Sequence, residues 1–259
     1  MANNPQNNEN TIQIPDTRTL TILYTGDIQG NAEQMAYLST MVKQITQDNP
    51  NVILVDSGNW ARGTLLSDQF KGMPMVEIMS AIGYDAVGIG EGEIAFGSKN
   101  LYMLEEKSTF IMVSSNIYEE GTGLTPYFLK KIVVFEKGPF KIAVTGLAYP
   151  EEYPATKIKV KSLDEVLPEI INEIEKINPH VTILLSRMGI GEDKKIAEKY
   201  PQFNVIVGGR DKKFLEEPIR VGNTYICQAG EKAQYLGSLE IDMETNINIT
   251  FVEEEKTRE

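Results

Sequence analysis

Short runs of apolar, often β-branched residues alternate along this chain with stretches in which apolar residues recur every three to four positions. The first pattern is typical of buried strands, and the second of helices with one buried face. Their alternation predicts an α/β fold. The predicted strands in the first part of the chain are 20–24, 52–55, 86–89, 110–114, 142–145, 181–185 and 205–207.

Two helices have clear patterns. The first lies between the first two strands, and its buried face comprises Met35, Leu38, Met41, Val42 and Ile45. The second has an apolar face over 166–177, and Ser162 and Glu165 precede it at the spacing of a capping box. Pro168 falls near its start, so it either kinks the first turns or places the regular helix further on.

The last third of the chain changes character. After Tyr200 the pattern favours strands joined by short turns, at 218–221, 224–228, 236–241 and 247–252. A mixed or antiparallel sheet is therefore expected to close the domain. With 41% hydrophobic residues, no repeat and no central linker, the chain is expected to form a single domain.

The boundaries follow from composition. Residues 17–253 form the predicted domain. Residues 1–16 are rich in Asn and Gln and are expected to be a disordered lead-in or tether, and residues 254–259 a charged tail.

The charge balance excludes some partners. Acidic residues outnumber basic ones 37 to 25, which gives a net charge of −12 and disfavours nucleic-acid binding. No apolar run reaches the roughly 20 residues of a membrane span, and no signal peptide is recognisable. The single cysteine, Cys227, excludes an intrachain disulfide and is expected to be a buried thiol.

The polar and charged residues that could form a functional site lie directly after the predicted strands. The carboxyl ends of parallel strands line one crevice of an α/β sheet, and ligands bind there. Polar residues that follow successive strands are therefore expected to converge in one site. They are Asp27 with Gln29, Asp56 with Asn59, Glu91 with Glu93, Arg187, and Arg210 with Lys212.

The order of these segments resembles the motifs of the calcineurin-like metallophosphoesterases. Residues 24–31 match Asp-x-His-Gly, 56–59 match Gly-Asp, 90–93 match Gly-Asn-His-Glu, 186–189 match Ser-His-x-Gly, and 208–212 match Gly-Gly-His-x-His. The intervening segments 63–67, 114–117, 228–231 and 235–237 resemble the 5′-nucleotidase branch with its UshA-like and SoxB-like members. The resemblance covers 20–252 and corresponds to the N-terminal domain of the longer members.

The resemblance implies a four-layer α/β/β/α sandwich of two mixed sheets flanked by helices. It also implies two metal ions at the strand ends and hydrolysis of phosphoesters by metal-bound hydroxide. An extracytoplasmic or periplasmic location is implied as well, because this branch is mostly exported.

Most family ligands are replaced in this chain. The former metal-ligand positions are Asp27, Gln29, Asn59, Glu91, Arg187, Arg210 and Lys212, and the position of the catalytic His is Gly92. Arginine has no lone pair for a metal, and the one histidine, His180, begins a strand at the opposite end. We therefore expect no catalytic residue, no metal and no cofactor. The exception to weigh is one Mg²⁺ or Ca²⁺ at Asp27 and Glu91.

The replacements suggest internal charge compensation. Arg187, Arg210 and Lys212 are predicted to pair with Asp27, Glu91 and Glu93 in a self-neutralised ion-pair network.

Three functions remain open. The first is a pseudoenzyme that acts as a subunit, scaffold or module binding another protein. The second is an anion- or nucleotide-binding module whose cations are Arg62, Arg187, Arg210 and Lys212. The third is a residual 5′-nucleotidase-like hydrolase with a changed, single-metal site. Trp60, beside Asn59, either packs in the core or stacks on a ligand or partner.

Overall fold

Two large sheets form the centre of the protein in the computed structural model, which describes residues 18–154 and 156–242. The first sheet contains β1 (Thr19–Thr25), β2 (Val52–Asp56), β3 (Ala86–Gly88), β4 (Ile111–Val113) and β13 (Gly237–Asp242). Its order is β13-β1-β2-β3-β4, with β13 antiparallel to β1 and the other neighbours parallel.

The second sheet has six strands, and a small two-stranded sheet lies outside it. The six strands are β6 (Ile132–Lys137), β7 (Phe140–Leu147), β9 (Val181–Ser186), β10 (Val205–Gly208), β11 (Ile219–Val221) and β12 (Thr224–Cys227). Their order is β11-β12-β10-β9-β7-β6, in which only the outermost neighbours pair antiparallel. The separate antiparallel pair is β5 (Ile117–Glu119) with β8 (Ile158–Val160).

Helices cover the outer faces of both sheets. The helices are α1 (Ala32–Thr46), α2 (Leu65–Gln69), α3 (Met73–Ile82), α4 (Glu91–Ile94), α5 (Ser98–Glu105), α6 (Leu163–Ile177) and α7 (Ile190–Lys199). Buried side chains of α1, α3, α4 and α5 pack on the first sheet, and those of α6 and α7 pack on the second.

The inner faces of the two sheets share one apolar core. Ile22 and Val55 of the first sheet pack in the same cluster as Ile183 and Val207 of the second. The predicted four-layer sandwich of two mixed sheets flanked by helices is thereby confirmed. Its central strands are buried on both faces, which explains why they appear in the sequence as continuous apolar runs rather than alternating ones.

The predicted elements agree with the structure, which has three additional strands. Each of the strands predicted before residue 208 is present, and the described residues after Tyr200 contain strands but no helix. The predicted strand 247–252 lies outside the described residues, as do the lead-in, the tail and the domain boundaries. The weakly patterned strands β5, β6 and β8 were not predicted.

Pro168 does not delay its helix. The alternative of a later start is wrong, because α6 begins at Leu163 and includes Pro168. Glu165 accepts hydrogen bonds from the backbone N–H and the hydroxyl of Ser162, at 3.0 and 2.7 Å. This capping fixes the helix start, so the helix forms despite the one backbone donor that proline lacks.

Candidate functional site

A buried arginine lies at the centre of the candidate site. Arg187 follows β9, and its side chain is 1% exposed. Its Nη1 and Nη2 donate to the two carboxylate oxygens of Asp27 at 2.9 Å each. Nη2 and Nε donate to the two oxygens of Glu91 at 2.9 and 3.4 Å, and Nη1 also donates to the carbonyl of Gly58 at 3.4 Å. A guanidinium has five N–H donors, so every one of them has an acceptor.

Asp27 is the most heavily bonded carboxylate of the site. Besides Arg187, it accepts from Asn59 Nδ2 at 2.9 Å and from the backbone N–H of Arg210 at 2.8 Å. Burial alone would raise the pKa of Asp27. The charge of Arg187, its hydrogen bonds and those from Asn59 and Arg210 outweigh burial and lower the pKa below its usual value. Asp27 is therefore a paired carboxylate anion.

The charges stabilise the arginine in return. Burial would lower the pKa of Arg187, but Asp27 and Glu91 outweigh burial and raise the pKa above its ordinary value. We call Arg187, Asp27, Glu91 and Asn59 the arginine network.

Glycines make room for the guanidinium. A Cβ atom at Gly209 would lie 2.2 Å from Nη1 of Arg187. A Cβ at Gly90 would lie 3.1 Å from Nε, and one at Gly58 would lie 3.1 Å from Cδ. A side chain at residue 209 would therefore displace the guanidinium, and one at residue 58 or 90 would press on the Arg187 side chain.

Asn59 and Gly92 depend on each other. A Cβ atom at Gly92 would lie 2.5 Å from Oδ1 of Asn59. A side chain at residue 92, where the family resemblance places a histidine, would force the Asn59 amide away from Asp27. The loss of that side chain and the hydrogen bond from Asn59 are therefore coupled changes.

The loops that carry the former ligand positions have strained backbones. The φ angles are +50° at Asp27, +53° at Gln29, +64° at Asn59, +80° at Arg210 and +55° at Lys212. Residues with a side chain rarely adopt this left-handed region, and such strain is concentrated at functional sites. Five of the seven former ligand positions thus have the backbone of a built site, although most of the side chains differ from the family pattern.

The predicted ion-pair network is smaller than expected. Asp27, Glu91 and Arg187 do come together, but the predictions for Arg210 and Lys212 are wrong. The Arg210 guanidinium lies over the ring of Tyr149, 3.2 Å from its centroid, and Lys212 pairs with Glu231 at 3.3 Å. The reason is the left-handed backbone at these two residues, which directs the N–H of Arg210 rather than its side chain toward Asp27.

Glu93 is also not part of an ion pair, contrary to prediction. Its carboxylate accepts backbone N–H groups of Asn59, Ala61 and Gly90 at 2.8, 2.7 and 2.8 Å. Burial raises its pKa, opposed by these three hydrogen bonds. The side chain therefore fixes the loops after β2 and β3 and faces the interior.

Asp56 is a second buried carboxyl beside the site. It accepts from Gly58 N and from Thr25 Oγ1, both at 2.7 Å, and Thr25 also bonds the hydroxyl of Tyr84. Burial raises the pKa of Asp56 to about 7. The Asp56 carboxyl fixes the start of the loop after β2 and is not accessible to solvent.

Several residues prove structural. Trp60 is fully buried, donates to the carbonyl of Gly88 at 3.2 Å and packs edge-on against Phe110, so the alternative of ligand stacking is wrong. His180 Nδ1 accepts from the backbone of Lys141 at 2.8 Å. Burial raises the pKa of the Cys227 thiol to about 12.

Two residues that contact the former ligand positions are not among the predicted site residues. Glu231 accepts from Gln29 Nε2 at 3.1 Å as well as pairing with Lys212, and Tyr149 underlies Arg210. Glu231 lies in a segment that the family resemblance includes, which is a usable signal. Tyr149 follows β7 without any motif, so nothing in the sequence marks it.

The residues present do not fit a pair of divalent metal ions. Both oxygens of Asp27 and of Glu91 are bound by the Arg187 guanidinium, and Asn59 acts toward Asp27 as a donor. A fixed guanidinium within a few ångströms repels a dication. Within 18–154 and 156–242, no cluster of three or more His, Cys, Asp or Glu side chains could hold a metal ion.

Solved structures define the class of fold. The Haemophilus influenzae NAD nucleotidase superposes with a TM-score of 0.78 at 18% identity, over 91% of this chain and 55% of that one. The calcineurin-like phosphoesterase YfkN of Bacillus subtilis superposes with a TM-score of 0.73 at 18% identity, over 92% of this chain and 90% of that one. The chain therefore has the fold of the calcineurin-like phosphoesterases.

Sequence relatives narrow the relationship. Bovine 5′-nucleotidase is 28% identical over 225 residues, and the human 5′-nucleotidase is 29% identical over 225 residues. Each match covers 76% of this chain but 38% of the relative, so the chain spans well under half the length of these relatives. No family model matches. In sequence the chain is therefore similar to a stretch of about 225 residues of these 5′-nucleotidases, as the motifs indicate.

Some of the sequence relatives are exported proteins. They include a 5′-nucleotidase of the snake Gloydius brevicauda whose name places it in venom, 27% identical over 220 residues. Among the described residues, no helix has the length and apolarity to cross a membrane.

Replacement of Arg187 should leave the buried carboxylate of Asp27 without a partner. We expect Arg187→Met to lower the free energy of unfolding by about 3–5 kcal/mol at neutral pH, because Asp27 loses its partner inside the protein. Chemical denaturation followed by circular dichroism measures this. The matched control is Arg220→Met, an exposed arginine near Tyr225, which should cost less than about 1 kcal/mol.

The pH dependence distinguishes lost charge pairing from lost packing. In the wild type the lowered pKa of Asp27 gives stability above its unfolded pKa of about 4, which is lost as the pH falls through the folded pKa. In Arg187→Met the cation is missing, so burial raises the pKa of Asp27, and protonation of Asp27 removes the unpaired buried charge. The difference in the free energy of unfolding between wild type and variant should therefore become smaller from about pH 7 to about pH 5. A difference that stays constant over this range would contradict the pairing of Asp27 with Arg187.

The coupling of residues 59 and 92 can be measured by a double-mutant cycle. Gly92→Ala should cost about 1–3 kcal/mol, because Asn59 must release Asp27. In an Asn59→Ala background the same change should cost little. Gly191→Ala, whose Cβ would meet nothing within 4 Å, is the matched control and should be neutral or stabilising. Additive costs for residues 59 and 92 would show that the two positions are independent.

Proposed function

We propose that this chain is a catalytically inactive protein of the metallophosphoesterase fold, a pseudoenzyme that serves as a subunit, scaffold or binding module for another protein. The observation that carries the proposal is the Arg187 guanidinium, whose five donors are taken by Asp27, Glu91 and Gly58. This internal cation holds the carboxylates that the family resemblance assigns to metal binding.

The remaining groups of the site offer no substitute chemistry. Gly92 leaves the position of the family's catalytic His without a side chain. Asp56 and Glu93 are fully buried and bonded to their own loops, so neither can reach a substrate as a general base.

A protein partner is supported by an apolar cluster beside the site. Leu65, Leu66 and Phe70 are 86%, 50% and 55% exposed on and next to α2. This short helix follows the loop of Asn59, and Gly63 of that loop packs directly on Gln29. Clustered exposed apolar side chains are typical of interaction sites. We propose that this interaction occurs outside the cytoplasm, which the venom relatives support.

In the anion-binding alternative, only some of the four predicted cations are available to bind an anion. Arg187 has no free donor, and Lys212 is shared with Glu231. Among the described residues no carboxylate oxygen lies within 4 Å of a guanidinium nitrogen of Arg62 or Arg210, which leaves these two cations for an anion.

The single-metal hydrolase is the least favoured alternative. A Mg²⁺ or Ca²⁺ at Asp27 and Glu91 would have to displace the guanidinium of Arg187 from both carboxylates, leaving that arginine buried and unpaired.

Hydrolysis assays test the proposal. With p-nitrophenyl phosphate, bis-p-nitrophenyl phosphate and AMP as substrates, and Mn²⁺, Mg²⁺ or Ca²⁺ added, we expect rates equal to those of metal without protein. Asp27→Asn is the matched variant, since it alters the first family ligand position at constant size. Metal-dependent turnover that EDTA abolishes and Asp27→Asn reduces would contradict the proposal.

A further inference from the structure

A cleft separates α6 from α7 on the outer side of the second sheet. It encloses about 730 Å³, a volume within the range of small-molecule sites. Tyr149 after β7, Gly189 after β9 and Arg210 after β10 line its inner end. The cleft therefore opens at the carboxyl ends of three parallel strands, where α/β sheets bind ligands. It adjoins the arginine network but does not include it.

Most charges around the cleft are already compensated. Its lining contains the acidic residues Asp164, Glu192 and Asp211 and the basic residues Lys195, Lys199 and Arg210. Lys195 pairs with Glu192 at 2.8 Å, and Lys199 pairs with Asp164 at 3.0 Å. Asp211 accepts the backbone N–H of Ile190 at the start of α7. The two lysines are therefore paired without any ligand, and the carboxylate of Asp211 is bound by a backbone N–H.

Arg210 differs from the other cations of the cleft. Its guanidinium lies over the ring of Tyr149, with Cζ 3.2 Å from the ring centroid, in a cation–π contact. Within the described part of the chain, no carboxylate pairs with this guanidinium and no acceptor is bonded by its N–H groups. A planar array of unbonded donors matches an anionic oxygen group.

Apolar side chains also line the cleft. They are Leu163, Leu167, Met188 and Ile196, together with the ring of Tyr200. Sites for small organic ligands combine apolar side chains with a few polar groups that fix the orientation of the ligand. A bare inorganic anion would leave these apolar side chains uncovered.

We propose that the cleft between α6 and α7 binds a small organic anion, whose carboxylate or phosphate group pairs with Arg210 and whose apolar or aromatic body covers Leu163, Leu167 and Ile196. This site goes beyond the proposed protein-binding function. It does not depend on the absence of catalysis, because none of its contacts involves Asp27, Glu91 or Arg187.

Titration of ¹⁵N-labelled protein followed by NMR tests the site. The probes are phenyl phosphate and benzoate, which carry the two headgroups on one aromatic body, with EDTA present. At least one of them should shift the amide signals of Tyr149 and Gly191 saturably, and inorganic phosphate should bind far more weakly than phenyl phosphate. The headgroup that binds more tightly identifies the class of anion.

Variants assign the contact to Arg210. Arg210→Gln keeps a planar end group but removes the charge, and should weaken binding about tenfold or more. Arg210→Lys should retain part of the affinity. Arg220→Gln is the matched control, because Arg220 also lies near a tyrosine ring, that of Tyr225, but outside the cleft; it should change nothing. The amide spectrum of each variant reports whether it is folded.

Three results would overturn the site: no saturable shifts with either probe, shifts located elsewhere, or equal affinity in Arg210→Gln and wild type. A failure of the proposed function looks different. In that case phenyl phosphate would be hydrolysed when Mn²⁺ replaces EDTA, whatever happens at the cleft.

Discussion

The structure depends on the ion pairing of one buried arginine with two carboxylates. Asp27 and Glu91 extend from loops after different strands, β1 and β3, and would repel each other without a cation between them. Arg187, from the second sheet, donates to both. A buried charge is costly unless it is paired and its hydrogen bonds are satisfied. The guanidinium meets both conditions and joins the two sheets at the end where their parallel strands terminate.

The residues around this cation leave room for its bonds. The close backbones at Gly58, Gly90 and Gly209 admit a guanidinium, and Gly92 leaves space for Asn59 to donate to Asp27. The left-handed backbones of the loops remain those of a site built to converge on a ligand. The positive charge at its centre is now part of the chain. This explains how a fold related to metal-dependent enzymes persists with side chains that do not suit metals.

Sequence predicted the fold well, because strands buried on both faces appear as uninterrupted apolar runs and their polar ends identify the crevice. It also placed Arg187 beside Asp27 and Glu91. It failed for Arg210 and Lys212, since a left-handed backbone decides where a side chain points and only the folded loop shows it. Tyr149 could not be predicted, because its role depends on the position that Arg210 takes.

The most direct test of the central claim is titration calorimetry of the metal-stripped protein with Mn²⁺ at neutral pH. The account predicts no saturable binding heat, because the guanidinium of Arg187 already occupies both carboxylates. Binding of one or two ions per chain, lost in Asp27→Asn, would contradict it and would mean that the arginine yields its place to a metal.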